Sequence, residues 1–379
     1  MKIGIVSPEF PPEMGGVQTY AFEFAQELAR RGHEVTVFTL PHPEGELQTT
    51  SFRIEPLLRL RRRLDRRILQ HGKMDVWHAM NAAYSWMALE TSPVFVSVHG
   101  NDFLGPYQPL ARLDLRERLH LPFGSNADRW LGDRLSWALV KRALPHAAHN
   151  FANSKYTEQL FLRTHPACRG RTSAAMVGVS EEYFSEARPP RGAGPARLVT
   201  VCRLAEPHKN VDLVLQALGR LRATFDFRYT VVGDGYLRPS LEKLTDELGL
   251  RDRVNFTGFL DAPQLRRHLL ASDLFILTTS ATPVAYEGFG IVYLEAAACG
   301  TPVLAARIGG AVEAVHEGAS GMFADSATVG EIEQRIRSFL SGEVSFASGD
   351  CVAFARTFSW KRVVDHCLGA YAAATGDAR

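Results

Sequence analysis

Short apolar runs alternate with amphipathic stretches along almost the whole chain. In the first half, segments 3–7, 34–40, 52–57, 75–78, 94–99 and 149–153 are strand candidates. Between the first two, segment 17–30 places Tyr20, Phe24 and Leu28 at close to helical spacing, with Gly32 set to end a helix. Segments 112–118 and 130–142 predict further helices between the last two strands. In the second half, 198–202, 228–232, 254–257, 274–277, 302–305 and 321–323 are strand candidates, alternating with helical patterns such as 211–221 and 241–248. Alternating strand and helix predict parallel sheets flanked by helices, so the fold class is α/β with two doubly wound, Rossmann-like domains.

At Pro189-Pro190-Arg191-Gly192-Ala193-Gly194-Pro195 the apolar periodicity stops, as in a linker. The expected domains are therefore 1–188 and 195–360, with one more helical pattern over 363–374. A chain of 379 residues with 46% hydrophobic and 22% charged content is long enough for two cores and too apolar for a disordered chain. Lys and Arg number 43 against 41 Asp and Glu, a balance that argues against a dedicated nucleic-acid binder. Five widely spaced cysteines with no Cys-x-x-Cys pair suggest neither a disulfide framework nor a zinc site. No apolar run approaches the roughly 20 residues of a membrane span, and no signal-peptide pattern opens the chain, so the expected place is the cytoplasm.

In open parallel sheets ligands bind where strands end and helices begin. Gly15-Gly16 follows the first strand and precedes a helix; it suits either close approach of a phosphate or a plain tight turn. His99, with Gly100, Asn101 and Asp102 after it, ends an apolar strand, where an imidazole can bond a sugar hydroxyl or remain structural. Arg203 and Lys209 share one strand-to-helix loop and can converge on an anion, a diphosphate above all, or lie separately in solvent. Gly233-Asp234-Gly235 lacks the third glycine of a dinucleotide fingerprint, since Arg238 holds that place, and reads as a tight turn. The segment Glu287-Gly288-Phe289-Gly290-Ile291 opens a helix with free amides and little bulk, and Glu295 follows two turns on; it suits a phosphate or sugar ring, or is a plain surface helix with two ordinary glutamates. Two carboxylates beside a diphosphate fit if they address hydroxyls, which favours a sugar nucleotide.

Together these segments, in order with Arg31-Gly32-His33-Glu34-Val35, Asn153-Ser154 and Gly309-Gly310 with Glu313, resemble the retaining GT-B glycosyltransferases of family 4 over almost the whole chain. The resemblance implies two Rossmann-like domains facing across a cleft, an acceptor-binding first domain onto which 361–379 packs back, and a donor-binding second domain. It implies that Arg203 and Lys209 hold the donor diphosphate with the amides of Phe289, Gly290 and Ile291 beside Gly288. Glu295 would bind the ribose and Glu287 the sugar hydroxyls. Segment 254–259, with Gly258 and Phe259, would border the base, and Gly233 would shape the neighbouring turn. Gly15 and Gly16 would meet the phosphate and His99 the donor sugar. His99, Arg203, Lys209 and Glu287 are thus the expected catalytic set. The implied reaction moves a hexose from a nucleoside-diphosphate sugar to a hydroxyl acceptor with retention, in cell-envelope polysaccharide, lipid-linked oligosaccharide or glycolipid synthesis. No Asp-x-Asp motif occurs, and neither a metal nor another cofactor is expected. Two departures stand out: Cys202 where the family commonly has Gly, and Met176-Val177-Gly178-Val179-Ser180 in place of Pro-Asn-Gly-Val-Asp.

Segment 53–67 carries seven arginines (53, 59, 61, 62, 63, 66 and 67) against Glu55 and Asp65, with leucines interleaved. It reads as a basic amphipathic helix at an anionic membrane surface, as a solvated helix face, or as an acceptor-phosphate patch. Arg59, Arg61, Arg62, Arg63, Arg66, Arg67, Asn101 and Asp102 are the acceptor-side candidates. A sugar-nucleotide epimerase or hydrolase and a non-catalytic nucleotide-sugar binder remain alternatives, separated by whether nucleoside diphosphate is released only with an acceptor.

Overall fold

The structure is a computed structural model that describes residues 1–12, 15–42, 49–105, 126–184, 194–282 and 286–376, with the side chains of 101 and 126–133 outside that description. The expected helix at 112–118 and most of the expected linker at 189–195 therefore lie outside the described residues. The chain forms two compact units, Met1–Gly178 with Trp360–Arg379, and Val179–Ser359.

In the first unit seven parallel strands run β1 (Lys2–Val6), β2 (Glu34–Phe38), β3 (Arg53–Glu55), β4 (Val76–Ala79), β5 (Val94–Val98), β6 (His149–Ala152) and β7 (Thr172–Ala174), in the order β3-β2-β1-β4-β5-β6-β7. The central strands are buried along nearly their whole length, which is why they read as continuous apolar runs. Ile3 lies between Val35 and Val76. Helix α1 (Gly16–Arg30) buries Tyr20, Phe24 and Leu28 against the sheet. It ends where Gly32, at φ 82°, donates to the Ala29 carbonyl and His33 to that of Leu28, a left-handed stop that suits glycine. Helices α2 (Asn126–Ala143) and α3 (Lys155–Thr164) follow, the latter capped by Ser154, which accepts from the Thr157 amide.

In the second unit the strands are β8 (Ala196–Val201), β9 (Phe227–Val232), β10 (Val254–Gly258), β11 (Leu274–Leu277), β12 (Val303–Ala306) and β13 (Gly321–Ala324), in the order β10-β9-β8-β11-β12-β13, again parallel throughout. Helices α4 (Val211–Leu221), α5 (Arg238–Glu247), α6 (Ala262–Ala271), α7 (Ile291–Ala298), α8 (Val329–Leu340) and α9 (Ser348–Ala355) cover it. A core of Leu198, Leu215, Leu218, Tyr229 and Ile276 fills the space between sheet and helices.

Helix α10 (Trp360–Thr375) belongs to the first unit and is anchored there by polar as well as apolar contacts. The Tyr371 hydroxyl meets Nδ1 of the buried His78, whose Nε2 lies 2.9 Å from Ser97 Oγ. Arg31 reaches Asp365 and, at 2.9 Å, the Lys361 carbonyl.

The basic segment departs from expectation. Among the described residues 53–67 form no continuous amphipathic helix: β3, an irregular stretch with Leu60 at φ 55°, and a single turn Arg62–Asp65 follow one another. The cause is Asp65, which is fully buried and accepts from the Arg59 amide at 2.8 Å and the Tyr84 hydroxyl at 2.9 Å, folding the segment back on itself. Arg62 and Arg66 pair with Glu90 at 2.9 and 2.5 Å, and Arg59 bonds the carbonyls of Pro56 and Leu58.

Candidate functional site

In the second sheet the strand order reverses between β8 and β11, which opens a crevice beyond their C-terminal ends. Two loops line it. The loop after β8 contains the turn Pro207–Lys209 and then Asn210, held at φ 56°. A non-glycine residue in that region needs compensation, and Asn210 has it: Nδ2 donates to the Thr278 carbonyl at 2.5 Å and to Ser280 Oγ at 2.7 Å, fastening this loop to the one after β11. The Ser280 amide returns a bond to the His208 carbonyl at 2.8 Å.

The fastening brings four charges together. Lys209 Nζ lies 2.8 Å from Glu287 Oε2 and 3.6 Å from Glu206 Oε2, and Arg203 Nη2 lies 2.7 Å from Glu206 Oε1. Lys209, Glu206 and Glu287 are largely buried, whereas the Arg203 side chain keeps 56% of its exposure. Burial pulls the Lys209 ammonium down, and Glu287 with Glu206 outweighs it, leaving the group above its ordinary pKa and firmly charged. Arg203 and Lys209 are thus brought together on the Glu206 carboxylate. Burial pushes the Cys202 thiol up to about 12, so it stays neutral beside them.

Glycines set how closely the backbones approach. A Cβ on Gly233 would lie 1.9 Å from the Cys202 carbonyl oxygen, and one on Gly235 would lie 2.3 Å from the Leu204 carbonyl carbon. Gly233 thus sits against the Arg203 loop as a spacer. In the same way a Cβ on Gly309 would meet the Glu287 oxygen at 2.5 Å and one on Gly310 the Gly288 oxygen at 2.0 Å. The Gly310 amide also donates to the Glu287 carbonyl at 2.8 Å. This pair holds Glu287-Gly288-Phe289 in place ahead of α7, whose N-cap is Gly290 at φ 87°, with Ile291 as first helical residue. Phe289 and Glu295 are both buried.

At the neighbouring strand ends Gly258, at φ 73°, accepts from the Gly233 amide at 2.9 Å. Beside them stand two aromatic rings far more exposed than is usual, Phe259 at 61% and Tyr236 at 70%. Glu206, Asn210 and Tyr236 went unremarked in the sequence. Glu206 had a signal, a carboxylate three residues from each cation; the left-handed turn at Asn210 and the exposure of Tyr236 had none.

In the first unit His99 follows β5. Its ring meets that of Tyr20 edge-on at 4.5 Å, and Nε2 is buried without a hydrogen-bond partner. Burial lowers its pKa to about 4, so the imidazole is neutral near pH 7 and offers a hydrogen bond instead of a charge. Asp102 accepts from the His99 amide and the Ala82 amide, each at 2.9 Å, so it orients the loop of His99 from both of its oxygens. Burial raises Asp102 to about 7. Gly15 and Gly16 form the N-cap and first residue of α1, and a Cβ on Gly15 would lie 2.4 Å from Gln18 Oε1. The side chain of Asn101 lies outside the described residues. Arg63, Arg66 and Arg67 are exposed and Arg62 is half-buried, with Arg62 and Arg66 paired to Glu90.

Residues 14–180 match the family model "Glycosyltransferase Family 4", and residues 185–351 match "Glycosyl transferases group 1". A D-inositol 3-phosphate glycosyltransferase of Mycobacterium sp. strain KMS is 30% identical over 393 residues, covering 97% of this chain and 87% of that protein. A GDP-mannose-dependent alpha-(1-6)-phosphatidylinositol monomannoside mannosyltransferase of Mycolicibacterium smegmatis is 28% identical, covering 89% of this chain and 88% of that protein. In fold the chain is similar to sucrose-phosphate synthase of Thermosynechococcus elongatus, with a TM-score of 0.77, 18% identity and full coverage of both chains. It is also similar to HepE of Anabaena in complex with UDP-glucose, with a TM-score of 0.71, 20% identity and coverage of 98% of this chain and 100% of that one.

Proposed function

This chain belongs to the family 4 and group 1 glycosyltransferases, and from that membership we propose that it is a retaining hexosyltransferase whose donor, a nucleoside-diphosphate hexose, is held by the second unit. The observation that carries the reading is the four-charge cluster at the β8/β11 switch point. Arg203, exposed and always charged, meets the diphosphate first; Lys209 then exchanges part of its pairing with Glu206 and Glu287 for a phosphate oxygen. The amides of Phe289, Gly290 and Ile291 at the start of α7 add donors aimed at the same anion. Glu287, beside Lys209, accepts from hydroxyls of the hexose, and Glu295, one face further along α7, from those of the ribose. Phe259 and Tyr236 offer flat surfaces for the base.

Catalysis in this reading is leaving-group stabilisation and positioning. Two fixed cations take up the charge that develops as the sugar–phosphate bond breaks, and the acceptor hydroxyl passes its proton to a departing phosphate oxygen. No metal enters the scheme. Glu287 is engaged by Lys209 and is not assigned as a nucleophile, which favours front-face retention over a covalent glycosyl intermediate.

The mycobacterial relatives act, by their names, on inositol phosphate and on a phosphatidylinositol mannoside. GDP-mannose and phosphorylated inositol acceptors are accordingly the first substrates to try, with glycolipid synthesis as the setting and the arginines of 59–67 facing an acceptor phosphate or an anionic membrane. The test is release of nucleoside diphosphate from GDP-mannose, UDP-glucose and ADP-glucose with and without inositol-phosphate acceptors. Release that depends on the acceptor, with an α-linked product, supports the proposal; release independent of every acceptor indicates a hydrolase or epimerase.

A further inference from the structure

Beyond Phe275 the main-chain pairing of β11 with β8 stops, and side chains take its place. The carbonyls of Ile276, Leu277 and Thr278 accept, in that order, from Thr200 Oγ1, from the Tyr293 hydroxyl at 3.0 Å and from Asn210 Nδ2 at 2.5 Å. The last two donors come from different elements of the site. Asn210 closes the turn that carries Lys209, and Tyr293 stands in the first turn of α7, whose leading amides face the proposed diphosphate.

Tyr293 does more than fill space there. Its ring lies so close to Gly290 that a Cβ on that glycine would stand 2.3 Å from it, and its amide donates to the Gly290 carbonyl at 3.0 Å. Gly290 turns the backbone into α7 at φ 87°, so the ring fixes that turn. Phenylalanine would pack as well, edge-on to Phe275 as Tyr293 does at 5.9 Å. What the hydroxyl adds is the bond to β11. Burial raises the phenol well above its ordinary pKa, so the group stays protonated and donates. Asn210 has the matching role for the other loop, since its side chain ties the turn of Lys209 to the next carbonyl of the same strand end.

We infer that Tyr293 and Asn210 are paired positioning residues: by bonding adjacent carbonyls at the end of β11, they fix the spacing between the Lys209 loop and the first amides of α7, and so select a diphosphate over a single phosphate. The inference rests on the donor site proposed above. A single phosphate is satisfied by the cations or by the amides alone. A diphosphate has to meet both at once, and binds better when the two sets of donors are already held at the right separation.

Isothermal titration of GDP and UDP, with GMP and UMP measured as their competitors, tests this. Tyr293→Phe keeps the ring and Asn210→Gly keeps the left-handed turn, so each removes one bond and leaves the backbone conformation available. Each should lower affinity for the diphosphate by about fivefold, the worth of one buried hydrogen bond, with monophosphate affinity changed by less than about twofold. Because either loss releases the same spacing, the double variant should lose less than the product of the two. If one variant does not fold, the diphosphate-to-monophosphate ratio of the other decides. Unchanged diphosphate affinity in either folded variant, mono- and diphosphate affinities that fall in equal proportion, or losses that multiply overturn the inference and leave the donor site standing. A wild type that binds neither GDP nor UDP overturns the donor site and the inference with it.

Discussion

Lys209→Met removes the ammonium and keeps the length of the side chain. At 2.8 Å from Glu287 and 3.6 Å from Glu206, the lost attractions are about 6 and about 5 kcal/mol in gross Coulomb terms at an effective dielectric constant of about 20. Much of that offsets the cost of burying the charges. The net effect of leaving Glu287 buried and unpaired is about 3 kcal/mol, the low end for a broken buried pair because both side chains keep some contact with water. Denaturant unfolding at pH 7 should therefore find Lys209→Met about 3 kcal/mol less stable than wild type. Adding Glu287→Gln, which removes the unpaired charge, should restore much of that stability without restoring transfer, which falls by about 100-fold or more in either variant. Stability of Lys209→Met equal to wild type, no recovery in the double variant, or turnover near wild type in Lys209→Met refutes the reasoning.

Other expectations test separate parts of the account. Gly310→Ala places a Cβ at 2.0 Å from the Gly288 oxygen, so it should displace the Glu287–Phe289 segment and weaken nucleotide binding by about tenfold or more, whereas Gly330→Ala, with open space around it, should not. Calorimetry on both variants decides this. His78 and His99 have pKa values lowered by burial to about 3 and about 4, so the stability they contribute is present above about 6.5 and lost as pH falls toward 4. Asp102, raised to about 7, acts in the opposite sense over the same range. A His99→Asn variant should lose less stability between pH 6.5 and 4 than the wild type; an unchanged loss contradicts the assignment. Arg63→Gln with Arg67→Gln should reduce flotation with phosphatidylserine vesicles at low salt. Wild-type protein that fails to float at all removes the membrane from the acceptor proposal.

The fold was legible because parallel strands buried on both faces are continuous apolar runs: 94–99 and 274–277 announce themselves as strands, and the alternation with helices leaves little choice of architecture. Edges were less legible. β7 (Thr172–Ala174) is three half-buried residues with no apolar run, and it exists because β6 offers it an unpaired edge. The cations of the site were legible as loop residues between a strand and a helix. Their partner Glu206 went unremarked, because sequence spacing shows proximity along the chain only, whereas in the structure both cations meet its carboxylate in the loop that Asn210 fastens. The arginine segment misled for a related reason: leucines between arginines imitate an amphipathic helix, while the buried Asp65, bonded to Arg59 and Tyr84, imposes a folded-back turn that no periodicity encodes.

Isothermal titration of GDP and UDP into the wild type, Arg203→Ala and Lys209→Met tests the central claim most directly, with circular dichroism confirming that each variant is folded. The account predicts saturable one-site binding of at least one nucleotide to the wild type, weakened in both variants by about tenfold or more, equivalent to about 1.4 kcal/mol or more. Wild-type affinity in both folded variants would contradict it.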